Sequence, residues 1–262
     1  MIKMMLSDPV SGPFHETHWA WYRQTMEKAA RPDTTIDFTH LPDGYFRGTG
    51  GAYVSAHNAM GMAQNAYRAE KEGYDAFIIG CAGDLGLRAA RGLVNIPVAA
   101  PTESAAHLAA ILGSRFSIIS ANPADRHLKE HLMLEYGLER KLASVRCHPG
   151  FLEQSHFGLI FGGEEEHKKY VEWVTEEMSK AVREDGAEAL FVTCTMGSSI
   201  LTMHGVHEVE RAQVVDLITA AVKTAETLVD LRRVYGTHPA KMSIYAPQPS
   251  GWEEQAPIKL DK

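Results

Sequence analysis

The sequence predicts an α/β protein made of two similar Rossmann-like or flavodoxin-like halves, each a parallel sheet flanked by helices. Short apolar runs alternate with longer amphipathic stretches along most of the chain, the pattern of strand–helix units that build a parallel sheet. There is also an internal echo. Gly73-Tyr-Asp-Ala-Phe-Ile-Ile-Gly-Cys81 is matched by Gly186-Ala-Glu-Ala-Leu-Phe-Val-Thr-Cys194, with glycine, acid, alanine, apolar strand and cysteine at the same offsets. The composition, 45% hydrophobic and 23% charged over 262 residues, supplies a core of ordinary size.

Taken in order, Ile2 to Leu6 reads as a first buried strand, and Thr17 to Ala30 has helical spacing through Trp19, Tyr22, Met26 and Ala29. Thr34 to Thr39 alternates as a strand. A glycine-rich loop, 48–52, leads into a helix over Ala52 to Lys71. Ala76 to Ile79 is a compact apolar strand that runs into Gly80 and Cys81, followed by a short helix over Gly86 to Leu93. Ile96 to Ala100 reads as a strand. Glu103 to Leu112 reads as a helix closed by Gly113, and Phe116 to Ser120 as a strand. Asn122 and Pro123 start a helix that reaches Tyr136. Ala143 to Cys147 is a further strand, Glu164 to Glu184 a long helix ended by Gly186, and Leu190 to Thr193 a strand that runs into Cys194. Val214 and Val215 form a short strand and Thr219 to Tyr235 the last clear helix. The tail from Gly236 is expected to lie extended over the surface.

The net charge of −7 and a pI near 6.0 argue against nucleic acid as a partner, since phosphate binding needs clustered Lys and Arg. Glu164, Glu165 and Glu166 followed by His167, Lys168 and Lys169 read as a solvated helix start, acids first as the helix dipole prefers. No stretch is apolar enough for a membrane span or a signal peptide, so a cytoplasmic location is expected. Three widely spaced cysteines, an odd number, form no disulfide framework and lack zinc-site spacing.

Cys81 and Cys194 therefore stand out. Ligands of open α/β sheets bind beyond the carboxyl ends of the strands, where both cysteines fall. Small and hydroxyl residues follow each one, Ala82-Gly83-Asp84 and Thr195-Met196-Gly197-Ser198-Ser199. Their backbone N–H groups are free to face an anion, and a helix start there would favour the thiolate. A single cysteine is more often buried filler; two in matched strand-end contexts point to chemistry. An ionised thiol is a general base and a protonated one a general acid. Two thiols on opposite faces of a carbon acid can invert its stereocentre, one removing the α-proton and the other delivering a proton, with no cofactor. Cys147, in Val145-Arg146-Cys147-His148-Pro149, lacks this context and reads as structural.

The residues resemble the aspartate/glutamate/hydantoin racemase superfamily, most of all its hydantoin racemase branch. The resemblance is carried by residues 80–120, where Cys81, Asp84, Gly86, Leu87, Pro97, Val98, Glu103, Gly113, Arg115 and Phe116 fit the family pattern. It is carried again by residues 186–197 and by Val215 and Asp216. It implies a pseudo-twofold pair of lobes, residues 1–115 with 217–262 and residues 116–216, with the active site in the cleft between them. It also implies Cys81 and Cys194 as the acid/base pair, a small-molecule substrate and a homo-oligomer. Where the hydantoin branch carries Asn-Pro-Asn after the first strand, this chain has Ser7-Asp8-Pro9-Val10. Leu85 stands where proline is common, and Cys-Thr-Met-Gly where Cys-Ala-Gly-Met is usual. These departures point to a substrate other than the commonest 5-monosubstituted hydantoins, or to another reaction on a related ring.

Asp8, Gly50, Gly51, Ala82, Gly83, Thr195, Met196 and His204 are the candidate substrate-binding residues. The glycines 50 and 51 would cradle a carboxylate or imide oxygen, and His204 with His207 would close over the site as a lid. Asp84 and Glu103 read as helix caps. His127 and His131 have i, i+4 spacing but no accompanying ligand pattern, so no metal is expected. The reading is a cofactor-independent racemase or epimerase of a hydantoin-like ring or amino acid. Its alternatives are another reaction with the same cysteines (cis–trans isomerisation, decarboxylation or thiohydantoin desulfuration) and a non-enzymatic ligand-binding protein.

Overall fold

A computed structural model describes residues 1–9, 16–41, 51–120 and 122–255, of which 16–18, 254 and 255 are described by their backbone alone. The chain runs β1 (Ile2–Asp8), α1 (Glu16–Ala29), β2 (Thr34–His40), α2 (Ala52–Lys71), β3 (Ala76–Ile79), α3 (Leu87–Leu93) and β4 (Val98–Ala99). It continues through α4 (Pro101–Leu112), β5 (Phe116–Ser120), α5 (Arg126–Glu135), β6 (Leu142–Arg146), α6 (His156–Ile160), α7 (Glu164–Asp185) and β7 (Ala189–Thr193). Last come α8 (Thr195–Met203), β8 (Glu208–Val209), β9 (Ala212–Val214), α9 (Leu217–Tyr235) and the short α10 (Trp252–Gln255). The chain divides into two units. One comprises Met1–Gly12, Ala30–Ala100 and Val222–Lys262, the other Pro13–Ala29 and Pro101–Ala221.

In the first unit the sheet order is β2-β1-β3-β4, all parallel. β3 is buried at every position and β1 at all but Lys3, which is why both read as near-continuous apolar runs. In the second unit the order is β6-β5-β7-β9-β8, and the first four strands are parallel. Counting only the parallel strands within each unit, both sheets follow the order 2-1-3-4, so the echo seen in sequence is a repeat of topology. The two cysteine-bearing segments each follow the third strand.

β8 is the departure from the all-parallel expectation, since it pairs antiparallel with β9 as Glu208↔Gln213 and Val209↔Ala212. The two loop residues, Glu210 and Arg211, have φ of 50° and 73°. A tight hairpin turn with positive φ at both positions is usually marked by Asn-Gly. Here Arg183 Nε donates to Glu210 Oε2 at 2.8 Å and ties the turn to α7 instead. The helix expected from Asn122 is interrupted. Asn122 accepts from the Ala124 N–H and starts a single 3₁₀ turn, Pro123–Asp125, before α5. The segment expected as a strand from Ile96 shortens to Val98–Ala99. The tail is not merely extended. Lys241 Nζ donates to the carbonyls of Val94 (2.6 Å) and Arg91 (2.9 Å) at the end of α3, and Trp252 packs edge-on against Tyr67.

β6 is fastened to α7 through one guanidinium. Arg146 Nη1 meets Asp185 at 2.7 Å, Nη2 meets Glu184 at 2.8 Å, and Nε meets the buried Glu177 at 3.1 Å. Burial would raise the Asp185 carboxyl. Hydrogen bonds from Ser144 and Arg146, with the Arg146 and Arg115 charges, outweigh burial and hold it below the ordinary carboxylate value. A carboxylate lowered on folding contributes stability that is present above its unfolded value, about 4, and lost as pH falls through the folded value. Arg146→Met should therefore cost about 2 kcal/mol at pH 7, between the exposed and buried ion-pair ranges. Urea melts at pH 7 and pH 3 check it: the gap from wild type should narrow at pH 3, and a gap that does not change with pH would refute the assignment.

Candidate active site

In a sheet of order 2-1-3-4 the switch point lies between the first and third strands, and their carboxyl ends frame a ligand crevice. In the first unit these ends are Asp8, the last residue of β1, and Gly80-Cys81 after β3. Gly80 N donates to Ser7 O at 2.7 Å. A Cβ at position 80 would sit 2.8 Å from that oxygen and 3.1 Å from Asp8 Cα, so only glycine lets the two strand ends meet. Asn65, buried on α2, donates to Ser7 Oγ (2.8 Å) and His40 O (3.3 Å) and fixes the ends of β1 and β2. Past Cys81 the chain turns sharply. Asp84 N donates to Cys81 O at 2.9 Å, Asp84 adopts φ 48°, and Gly83 N–H points at Cys81 Sγ at 3.4 Å. Asp8, Cys81, Ala82 and Gly83 are thus gathered at one switch point. Asp8 and Ala82 are buried and Cys81 is half-buried.

In the second unit the equivalent pair is β5 and β7, and Cys194 follows β7. It is the N-cap of α8, with its carbonyl accepting from Ser198 N at 2.8 Å. The N-terminus of this nine-residue helix puts its first N–H groups and the positive end of the helix dipole beside the thiol, a setting that favours negative charge. The sequence offers a helix start after Cys194 but assigns no helix over these residues, because Met196-Gly197-Ser198-Ser199 carries little apolar periodicity. Its hydroxyls serve the fold. Ser198 Oγ donates to Asp216 Oδ2 at 2.7 Å and accepts from Leu217 N at 3.0 Å, while Thr202 also donates to Asp216 at 3.0 Å. Asp216 Oδ1 takes the Thr219 N–H at 2.6 Å, so one carboxylate caps α9 and fixes α8 beside it.

The remaining candidates are dispersed. Thr195 is buried in the first turn of α8, and Met196 packs on the core cluster of the second unit. His204 caps the opposite end of α8 and is exposed, about 15 Å along the axis from Cys194 at 1.5 Å per residue. Gly51 is the N-cap of α2, with φ 79°, while Gly50 lies outside the described residues. His127 and His131 pair with Glu130 and Glu135 on the surface. Among the described residues His148, Glu176 and Glu177 bring ligand-type atoms together, but Lys180 and Arg146 neutralise those carboxylates.

Cys147 directly follows β6, an edge strand of the second sheet. Burial, with the charges of Glu177 and Asp125 adding to it, pushes its thiol up to about 11. Near neutral pH it should alkylate about 100-fold more slowly than an ordinary thiol. Peptide mapping after iodoacetamide treatment reads this directly, and reaction at the rate of free cysteine would contradict it.

The family model of Asp/Glu/Hydantoin racemase matches residues 21–225, a span that holds both cysteines. The chain belongs to the Asp/Glu/hydantoin racemase family. It is 33% identical over 189 residues to a hydantoin racemase of Pseudomonas sp. (strain NS671), covering 71% of this chain and 69% of the relative. A hydantoin racemase of Rhizobium meliloti is 32% identical over 196 residues, 75% of this chain and 76% of that one. Among solved structures, allantoin racemase from Klebsiella pneumoniae superposes with a TM-score of 0.77 at 26% identity, over 95% of this chain and 94% of that one. This family member is accordingly an isomerase of the racemase type and sits with the hydantoin racemase branch, as the resemblance of its cysteine segments implied.

Proposed function

We propose that the protein inverts the stereocentre of a hydantoin-type ring by two-base proton transfer between Cys81 and Cys194. The observation that carries this reading is the repeated placement of a cysteine after the third strand of two topologically equivalent units, each at a sheet switch point. A ring carbonyl acidifies the adjacent C–H. One thiolate takes that proton to give an enolate-like carbanion and a thiol. The second thiol gives its proton to the other face of the same carbon and becomes the thiolate. Atoms and charge balance within the pair, and the next turnover runs in reverse. The reading requires both sulfurs to reach one carbon from opposite faces.

The surrounding residues have matching roles. The N–H groups at the start of α8, at Thr195 and Met196, favour the oxygen on which negative charge develops. Asp8, an acceptor-only group when ionised, would take ring N–H donors where relatives of the branch carry asparagine. That exchange favours substrates with N–H rather than carbonyl at this edge.

The test is proton NMR in deuterated buffer with enantiopure 5-monosubstituted hydantoins, allantoin, thiohydantoins and acidic amino acids, with no cofactor added. Solvent deuterium should enter the stereocentre of a cyclic substrate as optical rotation decays. Formation of carbon dioxide, sulfide or an alkene isomer without exchange would overturn racemisation.

A further inference from the structure

Among the buried hydroxyls of the second unit that have no hydrogen-bond partner, one lies in an apolar cluster beside the start of α8. Tyr170, in the middle of α7, is fully buried, and among the described residues its Oη has no hydrogen-bond partner. Its ring packs with Phe151 at 6.0 Å inside an apolar cluster that includes Leu159, Val174 and Ile200. Phenylalanine would fill the same space without stranding a hydroxyl, whose burial unpaired costs about 1–3 kcal/mol. The hydroxyl is aimed at one place. A Cβ built on Gly197 would lie 2.0 Å from Tyr170 Oη and 2.7 Å from Cζ, so the phenol rests on the bare backbone of the first turn of α8, the turn that Cys194 caps.

Cys194 and Cys147 both pack against this cluster. They are also the ionisable groups whose charge reaches the phenol. Burial, then Cys194 and then Cys147 hold Tyr170 well above the ordinary tyrosine value, so it stays a neutral donor. His167, one turn earlier on α7, directs Nε2 to Ile160 O at 3.0 Å instead. Cys147 stays a thiol near neutral pH, which leaves Cys194 as the sulfur that can carry charge beside this dipole.

We propose that Tyr170 is a positioning residue for Cys194: its buried hydroxyl, which makes no hydrogen bond in this structure, turns its dipole toward the sulfur when Cys194 ionises, and Gly197 is glycine so that the phenol can reach the helix start. The inference rests on the proposed acid/base role of Cys194, but it is testable without any substrate. Oxygen in the apolar cluster is then a cost of the resting thiol state that is offset when the sulfur ionises.

Tyr170→Phe removes only the hydroxyl and keeps the packed ring. Iodoacetamide alkylation, followed peptide by peptide from pH 6 to pH 10, reads each sulfur separately. At pH 7 the Cys194 rate in Tyr170→Phe should fall about three- to tenfold, while at pH 10 it matches wild type; Cys81 should be unaffected. Melting temperature should stay level or rise, so a purely structural role would leave the pH profile in place. Gly197→Ala, which displaces the phenol, should give the same shift if it folds. An unchanged Cys194 profile in Tyr170→Phe, or a shift at Cys147 alone, would overturn the proposal. Failure of racemisation would show instead in the deuterium-exchange experiment, which reads substrate and not sulfur.

Discussion

Cys81→Ser and Cys194→Ser each should lower racemisation by roughly 10²–10⁴-fold, the range for loss of a general acid–base group. Serine is close to isosteric, and it is a better helix N-cap than cysteine. Cys194→Ser should therefore fold at least as well as wild type, and the loss will be chemical. A hydroxyl is not ionised near neutral pH and cannot take an α-proton, so the two variants should fail in different ways. With one thiol left, the enantiomer whose C–H faces that sulfur still loses its proton and regains deuterium from the same side. It exchanges without inverting, and the opposite enantiomer stays inert. Cys81→Ser and Cys194→Ser should therefore exchange opposite enantiomers of the same substrate, and each should exchange it far faster than it racemises it. Deuterium incorporation into each pure enantiomer, followed by NMR, decides the matter. Exchange of the same enantiomer by both variants would rule out a base on each face, and unimpaired racemisation by either would remove that cysteine from the chemistry. Cys147→Ala should racemise normally.

How far the sequence reveals this site depends on the kind of feature involved. The strands that end at Cys81 and Cys194 are legible because a strand buried on both faces must be apolar without interruption, and because Ala76–Ile79 and Ala189–Thr193 repeat one pattern. The placement of both cysteines follows from that repeat. The surroundings of Cys194 are less legible. Residue 170 sits at helical core spacing in α7, and nothing near it in sequence indicates that its hydroxyl meets Gly197 on another helix. The Ser198–Asp216 link is likewise a contact between separate elements. His204 looks adjacent to Cys194 only if the intervening residues form a loop; once they form α8, the helix carries it to the far end. The β8–β9 turn has no sequence mark because an ion pair from Arg183 replaces the usual Asn-Gly. Local patterns thus place the chemistry, and contacts distant in sequence hold it in position.

Gly86→Ala should be the most damaging single-methyl change in the first unit, and the comparison with Gly186→Ala shows why. Both glycines have left-handed backbones, φ 77° and 72°, which cost an L-residue roughly 1–2 kcal/mol. At Gly186, beyond the C-terminus of α7, an added Cβ meets nothing within 4 Å, so that cost stands alone. At Gly86 the same methyl would lie 2.4 Å from Ala59 O and 3.2 Å from its carbonyl carbon. These atoms are backbone in the middle of α2, so no rotamer change relieves the clash, and α3 must move away from α2. Overpacking of this kind adds about 1–3 kcal/mol, bringing the expected total to about 3 kcal/mol, or roughly 6–12 °C in melting temperature for a chain of this size. Function should suffer beyond the loss of stability. Leu87 N donates to Asp84 O at 3.2 Å, and Asp84 N to Cys81 O, so displacement of α3 pulls on the turn that presents the thiol. Gly86→Ala should therefore lose turnover even at temperatures where it remains folded, whereas Gly186→Ala should melt a few degrees lower and turn over normally. Equal losses of stability in the two variants would mean that α2 and α3 have room to separate, and the tight approach at Ala59 would not be what fixes the Cys81 turn.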